Sequence, residues 1–112
     1  DPIRFDQVLL NIGSAYNRKT NKFTCPYSGV YQFFFSANNG RKTTTNLWLT
    51  VDGNRMIQNY IDLPKYTTGN LSFIIMTLKK GNVVWVMQEK GSSWSDPQSR
   101  LITFGGMLIV GQ

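Results

Sequence analysis

Residues 28–37, with the sequence SGVYQFFFSA, carry the clearest structural signal in this 112-residue chain. After Gly29, large or apolar side chains recur at every second position, and these are Tyr31, Phe33, Phe35 and Ala37. A period of two places such side chains on one face of a β-strand. We therefore expect a strand here that opens at Gly29 and turns this face to the core.

The same alternation recurs along the rest of the chain, and no segment of comparable length repeats with a helical period. The further runs are Leu47, Leu49 and Val51; Leu71, Phe73 and Ile75; Val83, Trp85 and Met87; and Met107 with Ile109. Turn-forming residues separate these runs, as at Asn39-Gly40 and Asp96-Pro97, and Asp52-Gly53 suits a two-residue hairpin turn. The pattern predicts an all-β fold of about eight short strands, spaced as in a sandwich.

Several of these strands are apolar on both faces. Residues 33–35, 74–76 and 84–86 are uninterrupted apolar triplets centred on Phe34, Ile75 and Trp85. A strand in a simple sandwich has one polar face, so the second apolar face needs cover from a third layer or another subunit. A thick core under long loops is the alternative. Oligomer formation is favoured because so short a chain has few loops to spare.

Composition and length narrow the function classes. The chain is short enough for one domain, residues 1–112, and its 41% hydrophobic and 16% charged content is typical of a folded domain. It contains no histidine, which excludes Ser-His-Asp and Cys-His nucleophile systems and zinc sites that need imidazole. Six carboxylates in all leave little for paired acid–base work. We therefore expect a protein that is not an enzyme and has no cofactor.

The cellular compartment is less clear from the residues alone. Cys25 is the single cysteine, so no internal disulfide forms, and this fits both the cytosol and a secreted fold that needs no bridges. The longest apolar runs fall far below the ~18 residues of a membrane span. No signal peptide is present, and the opening Asp1-Pro2 suggests a processed or excised piece. Asn70-Leu71-Ser72 is a glycosylation sequon, a weak sign of secretion.

Two parts of the chain resemble the C1q-type globular domain. The opening of that family is matched by IRFDQVLLNIG at 3–13, KFTCP at 22–26 and SGVYQF at 28–33. Near the end, KGNVVWV at 80–86 resembles its Gly-Asp-x-Val-Trp-Leu segment, and TFGGML at 103–108 resembles its closing Thr-Phe-Ser-Gly-Phe-Leu. The resemblance covers nearly the whole chain.

This resemblance implies a fold and an assembly. The family has a ten-strand jelly roll, shared with the tumour necrosis factor group, that assembles as a compact homotrimer. Its first strand, an Ala-Phe-Ser-like stretch ahead of Phe5, is missing from this sequence, as is any collagen-like stalk. A trimer would bury the second apolar faces of the strands. The resemblance also implies a secreted, extracellular protein.

Most aromatic side chains are expected in the core, because aromatic residues at a period of two normally pack. These are Phe5, Tyr16, Phe23, Tyr31, Phe33, Phe35 and Phe104. Cys25 is expected to be a small buried side chain, and Gly105-Gly106 to permit close approach in a crowded sheet. Arg18, Lys19 and Lys22 are expected in a solvated turn.

Two polar loops are the candidate ligand sites. Residues 38–43 offer amides, hydroxyls and two cations, and residues 91–100 surround a tryptophan with serine, aspartate and glutamine. Such a tryptophan can stack on a sugar ring while its neighbours bond the hydroxyl groups. Alternatively, this tryptophan packs back onto the sandwich or contacts another subunit. We give equal weight to the ligand-binding interpretation and to this structural one. The resemblance implies that these loops cluster at one end of the subunit, and the candidate ligand-binding residues are Asn39, Arg41, Lys42, Trp94, Asp96 and Arg100.

The resemblance also bears on metal binding. Relatives that bind calcium at the trimer axis take acidic and amide ligands from the segment matching residues 60–69. Only Asp62 is retained here, and Lys65 and Tyr66 stand where further oxygen ligands would help. Calcium prefers six or more oxygens, so a single-chain site is not expected. An axial calcium site shared by three copies of Asp62 stays open.

The first functional hypothesis is a secreted, trimeric recognition domain that acts as a lectin in innate immune pattern recognition. It would bind glycans or anionic microbial surface polymers through weak loop contacts, which three copies convert into avidity. The net charge of +6 favours anionic targets, with Arg41, Lys42 and Arg100 as the charge partners.

Two other classes are weighed against it. Residues 5–9, FDQVL, resemble cerebellin-like members, so the protein could be a cytokine-like or cerebellin-like ligand of a cell-surface receptor. Charge and aromatic content also permit a barrel that binds single-stranded nucleic acid. The aromatic residues lie in apolar strands, however, and are not interleaved with Lys and Arg on one face. We therefore expect neither a nucleic-acid partner nor membrane insertion.

Overall fold

The structure is a computed structural model that describes residues 15–39, 45–61, 68–90 and 104–111. These residues form eight strands and no helix, so the all-β prediction is confirmed. The strands are β1 (Tyr16–Asn17), β2 (Lys22–Thr24), β3 (Gly29–Asn39), β4 (Thr45–Val51), β5 (Asn54–Ile61), β6 (Thr68–Leu78), β7 (Val83–Lys90) and β8 (Phe104–Gly111).

The strands form two antiparallel sheets that face each other. One has five strands in the order β1-β2-β7-β4-β5, and the other has three in the order β6-β3-β8. Most neighbours are distant in sequence. Phe23 of β2 lies opposite Val84 of β7, and Phe35 of β3 lies opposite Phe104 of β8. The sandwich therefore closes through long-range pairing, and local hairpins alone do not define it.

The long strand expected at residues 28–37 is β3, the centre of the three-stranded sheet. Its Tyr31, Phe33 and Phe35 are buried, as predicted, with Leu47, Leu49 and Val51 of the facing sheet. The strand continues through Asn38 and Asn39, beyond the expected loop boundary, because both residues pair with β6. The complete buried hydrophobic set among the described residues is Cys25, Tyr31, Phe33, Phe35, Leu47, Leu49, Val51, Leu78, Val84 and Val86.

Phe33 is the centre of an aromatic cluster. Its ring centroid lies 5.2 Å from that of Phe23 in an edge-to-face contact, 5.9 Å from Tyr31 and 6.2 Å from Phe104. Tyr16 packs edge-on against Phe104 at 6.1 Å. These contacts confirm the core assignment for the aromatic residues that the structure describes; Phe5 lies outside them.

At Gly105 and Gly106, aromatic rings occupy the space that a side chain would need. A Cβ atom at Gly106 would overlap the ring of Phe33 inside the core, and one at Gly105 would overlap the ring of Phe34 on the opposite face. Any larger residue would displace a ring that the sheet holds in place. Close approach of backbone was predicted at this pair, and this is corrected, because the atoms nearest to both glycines belong to aromatic side chains.

The turn between β4 and β5 is the predicted two-residue hairpin. Asp52 and Gly53 have φ values of 50° and 87°, the positive pair that this turn type requires. The Asp52 carboxylate also accepts hydrogen bonds from Asn82 Nδ2 at 2.7 Å and the Val83 amide at 3.0 Å. One side chain thereby joins the β4–β5 turn to the start of β7.

Candidate functional site

The outward side of the three-stranded sheet is apolar and open. Leu71, Phe73 and Ile75 alternate along β6 and are 61%, 60% and 56% exposed. Their neighbours continue the surface across the sheet, since Phe73 lies opposite Phe34 and Ile75 lies opposite Gln32, which in turn lies opposite Met107. We call this surface the apolar face, and it comprises Phe34, Leu71, Phe73, Ile75, Met107 and Val110.

The apolar face is the second face that the sequence predicted for β3 and β6. Ile74 and Met76 pack against the core while Ile75 between them points outward. No element among the described residues forms a third layer over it. The third apolar triplet differs, because Trp85 of β7 is half-buried and Lys22 of the neighbouring strand β2 lies over its ring.

The outward side of the five-stranded sheet carries paired tryptophans and cations. Lys22 Nζ lies 4.4 Å from the centroid of the Trp85 ring, and Arg55 Cζ lies 5.2 Å from that of Trp48. Gln58 Nε2 donates a hydrogen bond of 2.6 Å to Asn46 Oδ1 on the neighbouring strand. We call this surface the tryptophan face, and it comprises Lys22, Asn46, Trp48, Arg55, Gln58 and Trp85.

A shallow groove of about 510 Å³ lies on the tryptophan face. Its lining combines one aromatic ring with hydroxyl, amide, ammonium and carboxylate groups. The lining residues are Asn17, Thr20, Lys22, Thr24, Asp52, Val83 and Trp85. Aromatic rings with a few convergent polar groups are typical of small-ligand sites, which makes this groove the candidate site within the described residues.

The strands position the groove residues from distant parts of the sequence. Pairing of β2 with β7 places Lys22 beside Trp85, and the β1–β2 turn adds Asn17 and Thr20. That turn is tied together by Asn17, whose Oδ1 accepts hydrogen bonds from the Lys19 amide at 2.9 Å and the Thr20 amide at 3.4 Å. The groove therefore has a fixed rim.

The described surface is strongly cationic. Among side chains that the structure describes, six are Lys or Arg, and Asp52 is the one carboxylate. Arg18 and Lys19 are exposed in the β1–β2 turn, as expected, whereas Lys22 begins β2 and lies over Trp85. The local field at the groove therefore favours anionic ligands.

Most of the residues that the sequence singled out as sites are not among those that the structure describes. Asn39 ends β3, and Asn70 lies within β6 opposite Ala37. The others, which are Arg41, Lys42, Asp62, Trp94, Asp96 and Arg100, lie outside the described residues. The structure therefore does not test their arrangement, and their roles stay predictions.

Two further searches concern metals and membranes. In the described ranges, no group of three or more His, Cys, Asp or Glu side chains could hold a metal ion. The shared calcium site at Asp62 stays a prediction, because that residue is outside those ranges. The same ranges contain no helix with the length and apolarity needed to cross a membrane.

The pairing of Lys22 with Trp85 was missed at the level of sequence. The sequence shows Lys22 ahead of one predicted strand and Trp85 within another. Only the pairing of β2 with β7 brings the two side chains together. The argument against nucleic acid assumed that no aromatic residue lies among cations on one face. The Lys22–Trp85 and Arg55–Trp48 contacts show that this premise was wrong.

Cys25 is expected to resist alkylation in the folded protein. It is 1% exposed, and burial raises the pKa of its thiol to about 11, against a smaller lowering by a hydrogen bond with Tyr31. At pH 8 about a thousandth of such thiols are ionised, against roughly a quarter of ordinary ones. Mass spectrometry after iodoacetamide treatment should show modification only in denaturant. Equal labelling rates with and without denaturant would contradict the burial of Cys25.

Comparison with known proteins matches the chain to one family. The family model described as C1q domain matches residues 1–109. Complement C1q tumor necrosis factor-related protein 2 of Mus musculus is 30% identical over 115 residues, covering 96% of this chain and 37% of that protein. Complement C1q tumor necrosis factor-related protein 3 of Mus musculus is 32% identical over 109 residues, covering 96% and 44%. The chain spans about two fifths of the length of these relatives.

A solved structure gives the fold. The globular domain of zebrafish complement 1qA protein superposes with a TM-score of 0.77 and covers 99% of this chain and 86% of that chain. Its sequence identity is 23%, so the likeness establishes the architecture alone. The predicted jelly roll is confirmed, and so is the resemblance from which it was inferred.

Proposed function

The chain belongs to the C1q domain family, and from that membership we propose that it is a secreted, non-catalytic recognition domain that acts as a homotrimer. Its ligands are glycans or anionic polymers of microbial surfaces. The relatives span more than this domain, so the proposal concerns the domain itself.

The apolar face is the observation that carries the homotrimer. Leu71, Phe73 and Ile75 are all more than half exposed in one chain, and Phe34, Met107 and Val110 adjoin them. A contiguous patch of this kind on a soluble domain is typical of a subunit contact. Burying each such side chain contributes roughly 1.5–3 kcal/mol to the free energy of association, so we infer that two further copies of the chain cover this face. A calcium site shared by three copies of Asp62 remains part of this proposal on the family resemblance alone.

Ligand binding is supported by charge and by repetition of sites. The chain has a net charge of +6, and the side chains that the structure describes include six Lys or Arg against one carboxylate, Asp52. A trimer presents each weak site three times, which raises the overall affinity without any new contact. Anionic glycans fit both features, because their acidic groups repeat along a chain.

A glycan array tests the proposed ligand class. The trimer should bind acidic glycans, or bacterial surface polymers, and the signal should fall as salt screens the cations. Because avidity can exceed single-site affinity by ~10² or more, a monomeric variant should lose most of the signal. Absence of binding to both panels at low salt would contradict the proposal.

A cell-surface protein receptor is the second candidate, and β5 favours it. This strand lies at the edge of the five-stranded sheet, and its Met56 and Tyr60 are 45% and 50% exposed. Methionine and tyrosine are enriched in protein interfaces. Cell binding that survives glycosidase treatment and disappears after protease treatment would select the receptor over the glycan.

A further inference from the structure

The groove beside Lys22 has the dimensions of a sugar subsite. It is a shallow depression of about 510 Å³ that is largely open to solvent, so a sugar ring can lie in it while the rest of a glycan extends outward. Trp85 contributes a half-buried indole to one wall. The hydroxyls of Thr20 and Thr24 and the side-chain amide of Asn17 contribute donors and acceptors. This mixture matches the alternating apolar and hydroxyl surfaces of a sugar ring.

The contact between Lys22 and Trp85 makes the groove selective. With its ammonium 4.4 Å from the ring centroid, Lys22 covers the indole surface on which a sugar would stack. A neutral sugar must displace the ammonium and gains no charge interaction in return. An acidic sugar can accept hydrogen bonds from that ammonium while its ring occupies the indole. Within the described part of the chain, Lys22 has no salt-bridge partner that would compete.

Asp52 restricts where a bound ligand can carry an acidic group. Its carboxylate lines the groove and is held by Asn82 and by the Val83 amide, so it cannot swing away without breaking those bonds. It can accept hydrogen bonds from sugar hydroxyls, and it repels a second acidic group placed against it. The groove therefore fits a ring with an acidic group on the Lys22 side and hydroxyls on the Asp52 side.

We propose that this groove binds one acidic sugar unit of a glycan, with the ring on Trp85 and its carboxylate or sulfate bound to Lys22. The inference rests on the proposed function and adds a site and a preference for acidic over neutral sugars. The residues that line it differ from those at 38–43 and 91–100, which the sequence favoured and whose roles stay predictions.

Single-stranded nucleic acid is the competing ligand, and the groove favours the sugar. Proteins that bind single strands use several aromatic platforms in series along a cationic track. This groove contains one aromatic ring, and Trp48 with its Arg55 lies outside the lining. Hydroxyl and amide side chains make up half of the rest of the lining, which suits a polyhydroxylated ligand.

Calorimetric titration of the full chain with defined oligosaccharides tests this site. The probe is a hexasaccharide of alternating uronic acid and sulfated glucosamine, and its controls are the desulfated, carboxyl-reduced hexasaccharide and a single-stranded oligonucleotide. Lys22→Gln should weaken binding of the acidic probe by about tenfold or more, because it removes a charged hydrogen-bond donor. Lys80→Gln is the matched control, since it removes the same charge from an exposed turn outside the groove.

A second pair of variants tests the aromatic wall. Trp85→Val should also weaken binding of the acidic probe by about tenfold or more, whereas Trp48→Val changes the other tryptophan of the same face and should have little effect. Thermal unfolding of each variant shows whether it is folded. The prediction for Lys22→Gln holds independently of the tryptophan variants, because this change is on the surface.

The possible outcomes separate the site from the function. Selective loss with Lys22→Gln, but not with Lys80→Gln, supports the groove. Equal binding by all variants overturns the groove and leaves the proposed glycan function standing. Equal affinity for acidic and neutral probes, or tighter binding of the oligonucleotide, overturns the preference for acidic sugars. Failure of the unaltered chain to bind any glycan in the arrays overturns the proposed function together with the site.

Discussion

Phe73→Lys is expected to convert the trimer into monomers. Phe73 is 60% exposed in one chain and lies at the centre of the apolar face, opposite Phe34. Lysine at this position stays in water in the monomer, so the fold should persist. In the trimer the same ammonium would be buried among apolar side chains without a partner, which costs several kcal/mol at each contact.

Sedimentation equilibrium measures this change against a matched control. Tyr27→Lys replaces another aromatic residue of similar exposure, 63%, in the turn before β3 and outside the apolar face. We expect Tyr27→Lys to retain the mass of the unaltered protein, and Phe73→Lys to sediment at the 12.8 kDa of one chain. A trimer in the Phe73→Lys variant would show that the apolar face is not the subunit contact.

Phe33→Ala is expected to remove most of the folding stability. Phe33 is fully buried, at 0% exposure, and its ring contacts Phe23, Tyr31 and Phe104. Truncation of a core phenylalanine costs about 3–5 kcal/mol through lost contacts and the cavity left behind. Domains of this size are typically stable by about 5–15 kcal/mol, so this single change brings the protein close to unfolding.

The adjacent residue provides the control for this prediction. Phe34 points to the opposite face of β3, and Phe34→Ala should cost far less in the monomer. Because Phe34 belongs to the apolar face, both variants are best compared in the monomeric Phe73→Lys background by urea unfolding. Equal losses for Phe33→Ala and Phe34→Ala would contradict the assignment of the two faces.

Local pattern explains which parts of the fold were predictable. Tyr31, Phe33 and Phe35 lie on one face because strand geometry alone imposes a period of two. The turn at Asp52-Gly53 follows from the positive φ values that these residue types tolerate. The exposure of Phe73 follows from the prediction of strands that are apolar on both faces, because a two-sheet sandwich buries only one face of each strand.

The candidate site depends on pairing that local pattern does not contain. Lys22 was expected in a solvated turn because it follows Arg18 and Lys19 in a charged stretch ahead of a predicted strand. Its position over Trp85 follows from the order β2-β7 in the sheet, which alternation cannot specify. The prediction of a ligand site at residues 38–43 and 91–100 rests on polar composition and stays a prediction, because most of these residues lie outside the described ranges.

The two outer surfaces have different proposed roles, one as a subunit contact and the other as a ligand-binding surface. The apolar face belongs to the sheet β6-β3-β8, and the tryptophan face belongs to the sheet on the other side of the core. Assembly through the first leaves the second open to solvent, because the outward sides of two packed sheets point in opposite directions. A trimer built in this way would present three grooves around its outside.

The mass of the unaltered chain in solution tests the central claim, that the apolar face is a subunit contact. Light scattering behind a sizing column, in calcium-free buffer and again with calcium, gives this mass without a shape assumption. We expect a mass of three times the 12.8 kDa of one chain in both buffers, because burial of the apolar face drives the assembly. A mass of one chain at every concentration and in both buffers would contradict it.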